Sequence, residues 1–280
     1  MGGALPAVRN VLKAWLVLAG FCAVLGAIGY GLDGRRGLEV LVFSGVLLGV
    51  AAWWSADRVA AGMVGARELV LGEAPALHST VERLASTAQV VKPRLHLIAD
   101  GFPRALSAGR GGRGAVLALS TGLLGAATPA ELEGVLAHEI AHLRNRDTIV
   151  QTIAVVVAVA LVELSRVGGW FQRALLFVLG PVAAAFVHLL LSPKRELEAD
   201  RLAAALCGSP HGLADALVRL DQASELVSFQ ASPATEPLYT VNPFAEEGLG
   251  ALFNTHPPIE DRVRRLRALD PEWPERLRAA

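Results

Sequence analysis

Charge is scarce in this sequence: 19% of its 280 residues are Asp, Glu, Lys or Arg, 53% are hydrophobic, and mean hydropathy is positive. A soluble domain carries about a quarter charged residues, so the deficit excludes an ordinary soluble class and points to the membrane. Net charge is zero and no stretch is dense in Lys and Arg beside aromatics, which removes the electrostatic basis for nucleic acid as a partner. Cysteine is nearly absent. Cys22 lies in an apolar run and Cys207 far from it, neither in a CxxC or Cys/His spacing, so no disulfide framework is expected. Internal repeats and low-complexity tracts are missing as well.

What the chain has instead is uncharged length. Residues 14–32, 40–56, 148–162 and 174–193 contain no Asp, Glu, Lys or Arg. A spanning helix needs about 20 apolar residues, so four transmembrane helices are expected, the third only if it continues past its polar ends; a buried core helix is the alternative for that run. Arg9 and Lys13 ahead of the first run also suit a secretory signal, but no small-x-small cleavage site follows and a second run comes at once, which favours an uncleaved anchor. Basic residues near the run ends number nine on the side of the N-terminus and four on the other, which favours the N-terminus and both polar segments in the cytosol as the expected orientation.

In the first polar segment, residues 95–99, 105–108 and 115–120 read as short strands, with the glycine-rich 109–114 as a hairpin turn. Thr128-Pro129-Ala130-Glu131 then signals a helix start: a Thr cap, Pro at the first helical position and Glu at the third, expected to lead a helix on toward the third run. In the second polar segment, 212–227 and 259–269 read as amphipathic helices and 228–250 as a loop.

That capped helix carries His138-Glu139-Ile140-Ala141-His142. Residues four apart on a helix lie about 40° apart around the axis and roughly 6 Å along it, so His138 and His142 can reach one metal ion. Neutral imidazoles hold zinc while leaving a position open for water, and a neighbouring carboxylate, here Glu139, can take that water's proton. A catalytic zinc needs a third protein ligand. Glu196, just past the fourth run and on the same side, is the candidate, and Asp200 shares its helical face and can accept the ring N–H of a ligand histidine. Glu198 competes but lies about 200° around from Glu196. Lys194, Arg195, Glu196, Glu198 and Asp200 also read as a plain charged collar at a lipid interface. Asp147 is either a partner of the metal helix or a residue at the membrane boundary. His78, His96 and His211 lack partners at ligand spacing and read as structural or surface residues, Arg110 and Arg113 as solvated turn residues, and His188 as a neutral residue between helices.

Taken together, His138-Glu139-Ile140-Ala141-His142 with Asn145 and Asp147, the stretch Ser192-Pro193-Lys194-Arg195-Glu196-Leu197-Glu198-Ala199-Asp200, Ser120-Thr121-Gly122-Leu123-Leu124, and Thr255-His256-Pro257-Pro258 with Asp261-Arg262 resemble the HtpX family of membrane-integrated zinc proteases, related to the CAAX prenyl proteases. The resemblance covers roughly residues 95–269. It implies a mostly α membrane protein: four transmembrane helices with a cytosolic α+β gluzincin-type protease domain holding a small β-sheet. The division expected is a transmembrane pair over 1–56, a first protease half over 57–147, a transmembrane hairpin over 148–193 and a second half over 194–280. Zn2+ at His138, His142 and Glu196, Glu139 as general base and His256 stabilising the oxyanion are implied too. So are a multi-pass inner-membrane location with a cytosolic active site, and a quality-control role in the stress response, cutting misfolded or damaged membrane proteins at cytosolic segments.

One departure stands out. Members carry Pro-Asn-Ala-Phe-Ala-x-Gly before the hairpin, whereas Pro103-Arg104-Ala105-Leu106-Ser107-Ala108-Gly109 has Arg104 and Leu106 in place of Asn and Phe. Substrate is expected to pair along Ala105, Leu106 and Ser107 or along Val116 to Leu119. Three other functions compete. A protease cutting inside the bilayer would need Glu131, Glu133, Arg144, Arg146 and Asp147 at membrane depth, which is costly. A CAAX-type prenyl protease resembles a more multiply spanning chain. The last is a non-catalytic membrane scaffold retaining a zinc fold.

Overall fold

The computed structural model describes residues 4–63, 65–109, 114–151, 193–226 and 257–270. The first two uncharged runs fall in one helical segment, α1 (Ala4–Met63), broken at Asp33 and at Gly34, whose φ of 56° suits glycine. Beyond the break the chain doubles back. A Cβ on Gly29 would stand 2.2 Å from the Gly37 carbonyl oxygen, and one on Gly45 would stand 2.8 Å from the Leu25 side chain. Only small residues let the two arms close this far. Many α1 side chains fall outside the description; among the described residues, no helix is long and apolar enough to cross a membrane. The third and fourth runs lie outside the described residues, apart from residues 148–151 and 193.

A four-stranded sheet follows: β1 (Ala66–Glu68), β2 (Arg94–Ile98), β3 (Ala105–Ala108) and β4 (Val116–Ser120), in the order β1-β2-β4-β3. The strands expected from sequence shift by one residue at most. The antiparallel β3–β4 hairpin matches the glycine-rich turn, with Ala105 opposite Leu119 and Ala108 opposite Val116. β1 has no counterpart in the sequence reading, because three residues are too few to show an alternation; its antiparallel pairing with β2 defines it. β4 sits parallel to β2 and, among the described residues, leaves β3 at the edge.

Among the described residues, helices α2 (Pro75–Thr87), α3 (Thr121–Ala126), α4 (Pro129–Asn145), α5 (Pro193–Cys207), α6 (His211–Leu226) and α7 (Ile259–Arg267) pack with the sheet. The expected capping box starts α4: the Thr128 hydroxyl accepts from Glu131 N at 3.3 Å while Thr128 N donates to the Glu131 carboxylate at 2.8 Å. Glu131 serves twice, since Arg219 of α6 donates from Nε and Nη2 to both its oxygens at 3.0 to 3.1 Å. The two helices meet backbone to backbone. A Cβ on Gly134 would lie 2.5 Å from Leu213 N, and one on Gly212 2.3 Å from the Ala130 carbonyl oxygen. α4 therefore runs through the core, with Val135, Leu136, Ala137, Ile140 and Ala141 fully buried among β-sheet, α2, α5 and α6 residues.

The helix does not run on unbroken toward the third run as expected: it ends at Asn145, where Arg146 adopts the left-handed conformation, φ 57° and ψ 27°, and helix resumes over residues 147–151. That turn is what places Asp147 at the site.

Candidate metal centre

His138 and His142 sit on successive turns of α4, and both are buried, as is Glu139 between them. α5 lies across α4 and buries Arg195, Glu196, Ala199 and Asp200 while Glu198 stays exposed, the face that the four-residue spacing of Glu196 and Asp200 requires. His138 Nε2 and His142 Nε2 approach to 3.1 Å, and each lies 3.5 Å from one oxygen of Glu196. Among the described residues, these three form the group able to hold a metal ion.

The far side of each ring faces a carboxylate. Asp200 Oδ1 is 3.0 Å from His138 Nδ1, and Asp147 Oδ2 is 3.1 Å from His142 Nδ1. Only the His142 contact has hydrogen-bond geometry; the His138 contact is a close approach. With the proton on Nδ1, each neutral imidazole turns an Nε2 lone pair inward. Two such lone pairs and a carboxylate then converge out of water, an arrangement that requires a cation at its centre.

Charge balance agrees. Glu139, Asp147, Glu196 and Asp200 are four buried carboxylates beside two buried guanidiniums, Arg195 and Arg262, leaving two negative charges for a divalent ion. Spacing agrees too: tetrahedral ligand atoms at roughly 2.0–2.1 Å from zinc stand about 3.3 Å apart. The residues present fit Zn2+. Burial alone would hold the His142 ring neutral, but the Glu196 and Asp147 carboxylates overcome it and raise its pKa to about 10, so without a metal the cluster draws in a proton as its cation.

Arg262 was named in the sequence only within a motif, with no role. It comes from α7, 124 residues from His138, and is fully buried. Its Nε and Nη2 donate to the two Asp200 oxygens at 2.9 and 2.8 Å, and Nη2 also lies 3.5 Å from His138 Nε2. Burial pushes the Asp200 carboxyl up, yet Arg262 and His138 hold it at about 2. A signal was present: Arg262 shares the buried face of an amphipathic helix with Val263 and Leu266, where an arginine needs a buried partner. Arg195, read as part of a charged collar, is buried at 6% exposure, with Nη1 4.0 Å from Asp147 Oδ1.

The remaining candidates divide. Ala105, Leu106, Ser107, Val116 and Leu119 are all buried in β3 and β4. Arg104 is tied down just before β3: its Nη2 lies 2.7 Å from Asp100, and its backbone N–H donates to Ser120 Oγ at 2.9 Å. His78 bonds the Leu69 carbonyl through Nε2 at 3.0 Å, His211 lies 3.3 Å from Asp270, and His96 is buried at the sheet. His256, His188, Arg110 and Arg113 lie outside the described residues.

Residues 72–270 match peptidase family M48. A "Protease HtpX homolog" from Pelotomaculum thermopropionicum is 37% identical over 278 residues, covering 93% of this chain and 99% of that protein. Another from Pyrococcus abyssi is 36% identical over 275 residues, covering 92% of this chain and 95% of that protein. The crystal structure of S. mikatae Ste24p has a TM-score of 0.49 at 17% identity, covering 94% of this chain and 66% of that one.

Proposed function

The chain belongs to peptidase family M48, whose members are zinc metalloproteases, and from that premise we propose that His138, His142 and Glu196 hold the zinc of a membrane-bound endopeptidase with Glu139 as its general base. The observation that carries this reading is the convergence of three electron-rich, buried ligand groups, each histidine backed by an aspartate. Bound zinc supplies Lewis acidity toward water and the scissile carbonyl. Glu139 takes the proton of the attacking water on its carboxylate and passes it to the leaving amine. Asp200, clamped by Arg262, and Asp147, brought round by the turn at Arg146, keep the Nδ1 protons in place so that both Nε2 lone pairs stay directed inward. His256 stabilises the oxyanion; it lies six residues before Arg262, which α7 carries into the site.

The substrate is an extended peptide pairing with the β3 edge along Ala105, Leu106 and Ser107, since β4 is already paired on both sides. All of β3 is buried, so pairing requires its edge to be uncovered first. Misfolded or damaged membrane proteins, cut at cytosolic segments, are the substrate class that fits the uncharged runs. The α1 arms support a bilayer setting, since they expose Phe43 at 70% and Trp54 at 71% with Trp15, Leu16 and Leu47; four spans and a cytosolic site follow from the uncharged runs and the bias of basic residues near their ends.

The deciding experiment is cleavage of unfolded casein by the detergent-solubilised, zinc-loaded chain. Glu139→Gln should retain zinc one to one and lose about 10²- to 10⁴-fold in rate, the usual contribution of a general base. Glu196→Ala should lose zinc while Glu198→Ala keeps it. Equal rates for wild type and Glu139→Gln, or zinc retained by Glu196→Ala, would sink the assignment.

A further inference from the structure

The two histidines are supported by unequal arms. On the His138 side, Asp200 is forked by Arg262 at 2.9 and 2.8 Å. On the His142 side, Asp147 is faced by Arg195, but the gap from Nη1 to Oδ1 is 4.0 Å, an ion-pair distance without a hydrogen bond. Arg195 is nonetheless nine-tenths buried, and its Nε and Nη1 find no hydrogen-bond partner among the described residues. Donors left in this state cost free energy, so a buried guanidinium that keeps them open is held there by the rest of the fold.

From this geometry we propose that Arg195 is the positioning residue of the His142 ligand: it acts through Asp147, and its contact with Asp147 closes when zinc binds, whereas Arg262 is hydrogen-bonded to Asp200 beforehand. The proposal rests on the zinc-ligand reading of His138, His142 and Glu196. Adjacent helical residues point about 100° apart, so the first turn of α5 offers Glu196 to the metal and Arg195 to Asp147 at once. Drawing Glu196 onto the ion shifts the same turn, and a movement of about 1 Å brings Nη1 into charge-assisted hydrogen-bond range of Asp147. Asp147 then holds the His142 ring in its ligating orientation.

The test uses the full chain in detergent, with zinc affinity read by competition against a fluorescent chelator and site geometry by the visible spectrum of the Co2+-loaded protein. Arg195→Met should weaken zinc about 10- to 100-fold, as outer partners of metal ligands do, and alter the Co2+ bands. Thermal stability of the EDTA-treated form should fall by much less than the affinity does, since the cation that is removed makes no hydrogen bond to Asp147. Arg195→Lys, which keeps the charge without the fork, should fall between the two and serves if the Met variant does not fold. Zinc affinity within threefold of wild type in either variant overturns the proposal, as does a loss of metal-free stability matching the loss of affinity. If wild type itself fails to bind zinc, the ligand reading falls instead; if it binds and Glu198→Gln, exposed on the same helix, weakens zinc as much as Arg195→Met, the proposal alone falls.

Discussion

Removing the guanidinium of Arg262 isolates the energetics of the closed arm. In the wild-type chain Asp200 is held at about 2 against an ordinary 3.8, because Arg262 more than offsets the cost of burial. That depression corresponds to about 2.5 kcal/mol, present above the ordinary carboxylate range and lost as pH falls through the folded value. Arg262→Met leaves a buried carboxylate facing only the His138 ring. Breaking such a pair from one side costs about 3–5 kcal/mol at neutral pH, which for a chain of this size lowers Tm by on the order of 10 °C. The sign of the pH dependence separates this account from simple loss of packing. In the variant, burial raises the Asp200 pKa, so its carboxylate takes up a proton on acidification and the penalty fades. The gap between wild type and variant should therefore narrow from pH 7 to pH 4. The assay is thermal unfolding of EDTA-treated protein followed by circular dichroism, with Asp200→Asn/Arg262→Met recovering most of the loss. A Tm within 2 °C of wild type at pH 7, or a gap that widens in acid, would refute the reasoning.

Other expectations concern the core and the metal-free cluster. Gly134→Ala sets a methyl group 2.5 Å from Leu213 N and should cost about 1–3 kcal/mol through displacement of α6, while Gly125→Ala, with open space around it, should be neutral or slightly stabilising; equal Tm values for the two would contradict the close approach. With His142 raised to about 10, the metal-free protein gains stability from its protonated ring that is full below pH 6.5 and lost as pH rises through about 10. Zinc uptake at pH 7.5 should accordingly release close to one proton, read with an indicator dye in weak buffer, and uptake without release would count against the convergence of lone pairs.

Much of the site was legible because its signals are local. The spacing of His138 and His142, the Thr128 and Glu131 cap, and the pairing of Glu196 with Asp200 all follow from one helical repeat, so a few adjacent residues carry them. The hairpin of β3 and β4 declares itself through its glycine-rich turn in the same way. Other features have no local signature. β1 is three residues long, and the insertion of β4 between β2 and β3 depends on pairings that no single segment encodes. The helix was expected to continue past Asn145, but a left-handed Arg146 stops it, a conformation for which arginine carries no preference.

The amino-acid sequence by itself determined which residues can ligate a metal and the family to which they belong, since helical periodicity and motif order are properties of the chain read linearly. Only the tertiary structure decided what surrounds those ligands: Asp147 turned back onto His142, Arg262 brought from α7 onto Asp200, Arg195 buried short of hydrogen-bonding Asp147, and a β3 edge covered on all its residues. Each of these depends on groups distant in sequence meeting where water is excluded, and burial, which sets the strength of every charge in the site, is a property of the packed molecule.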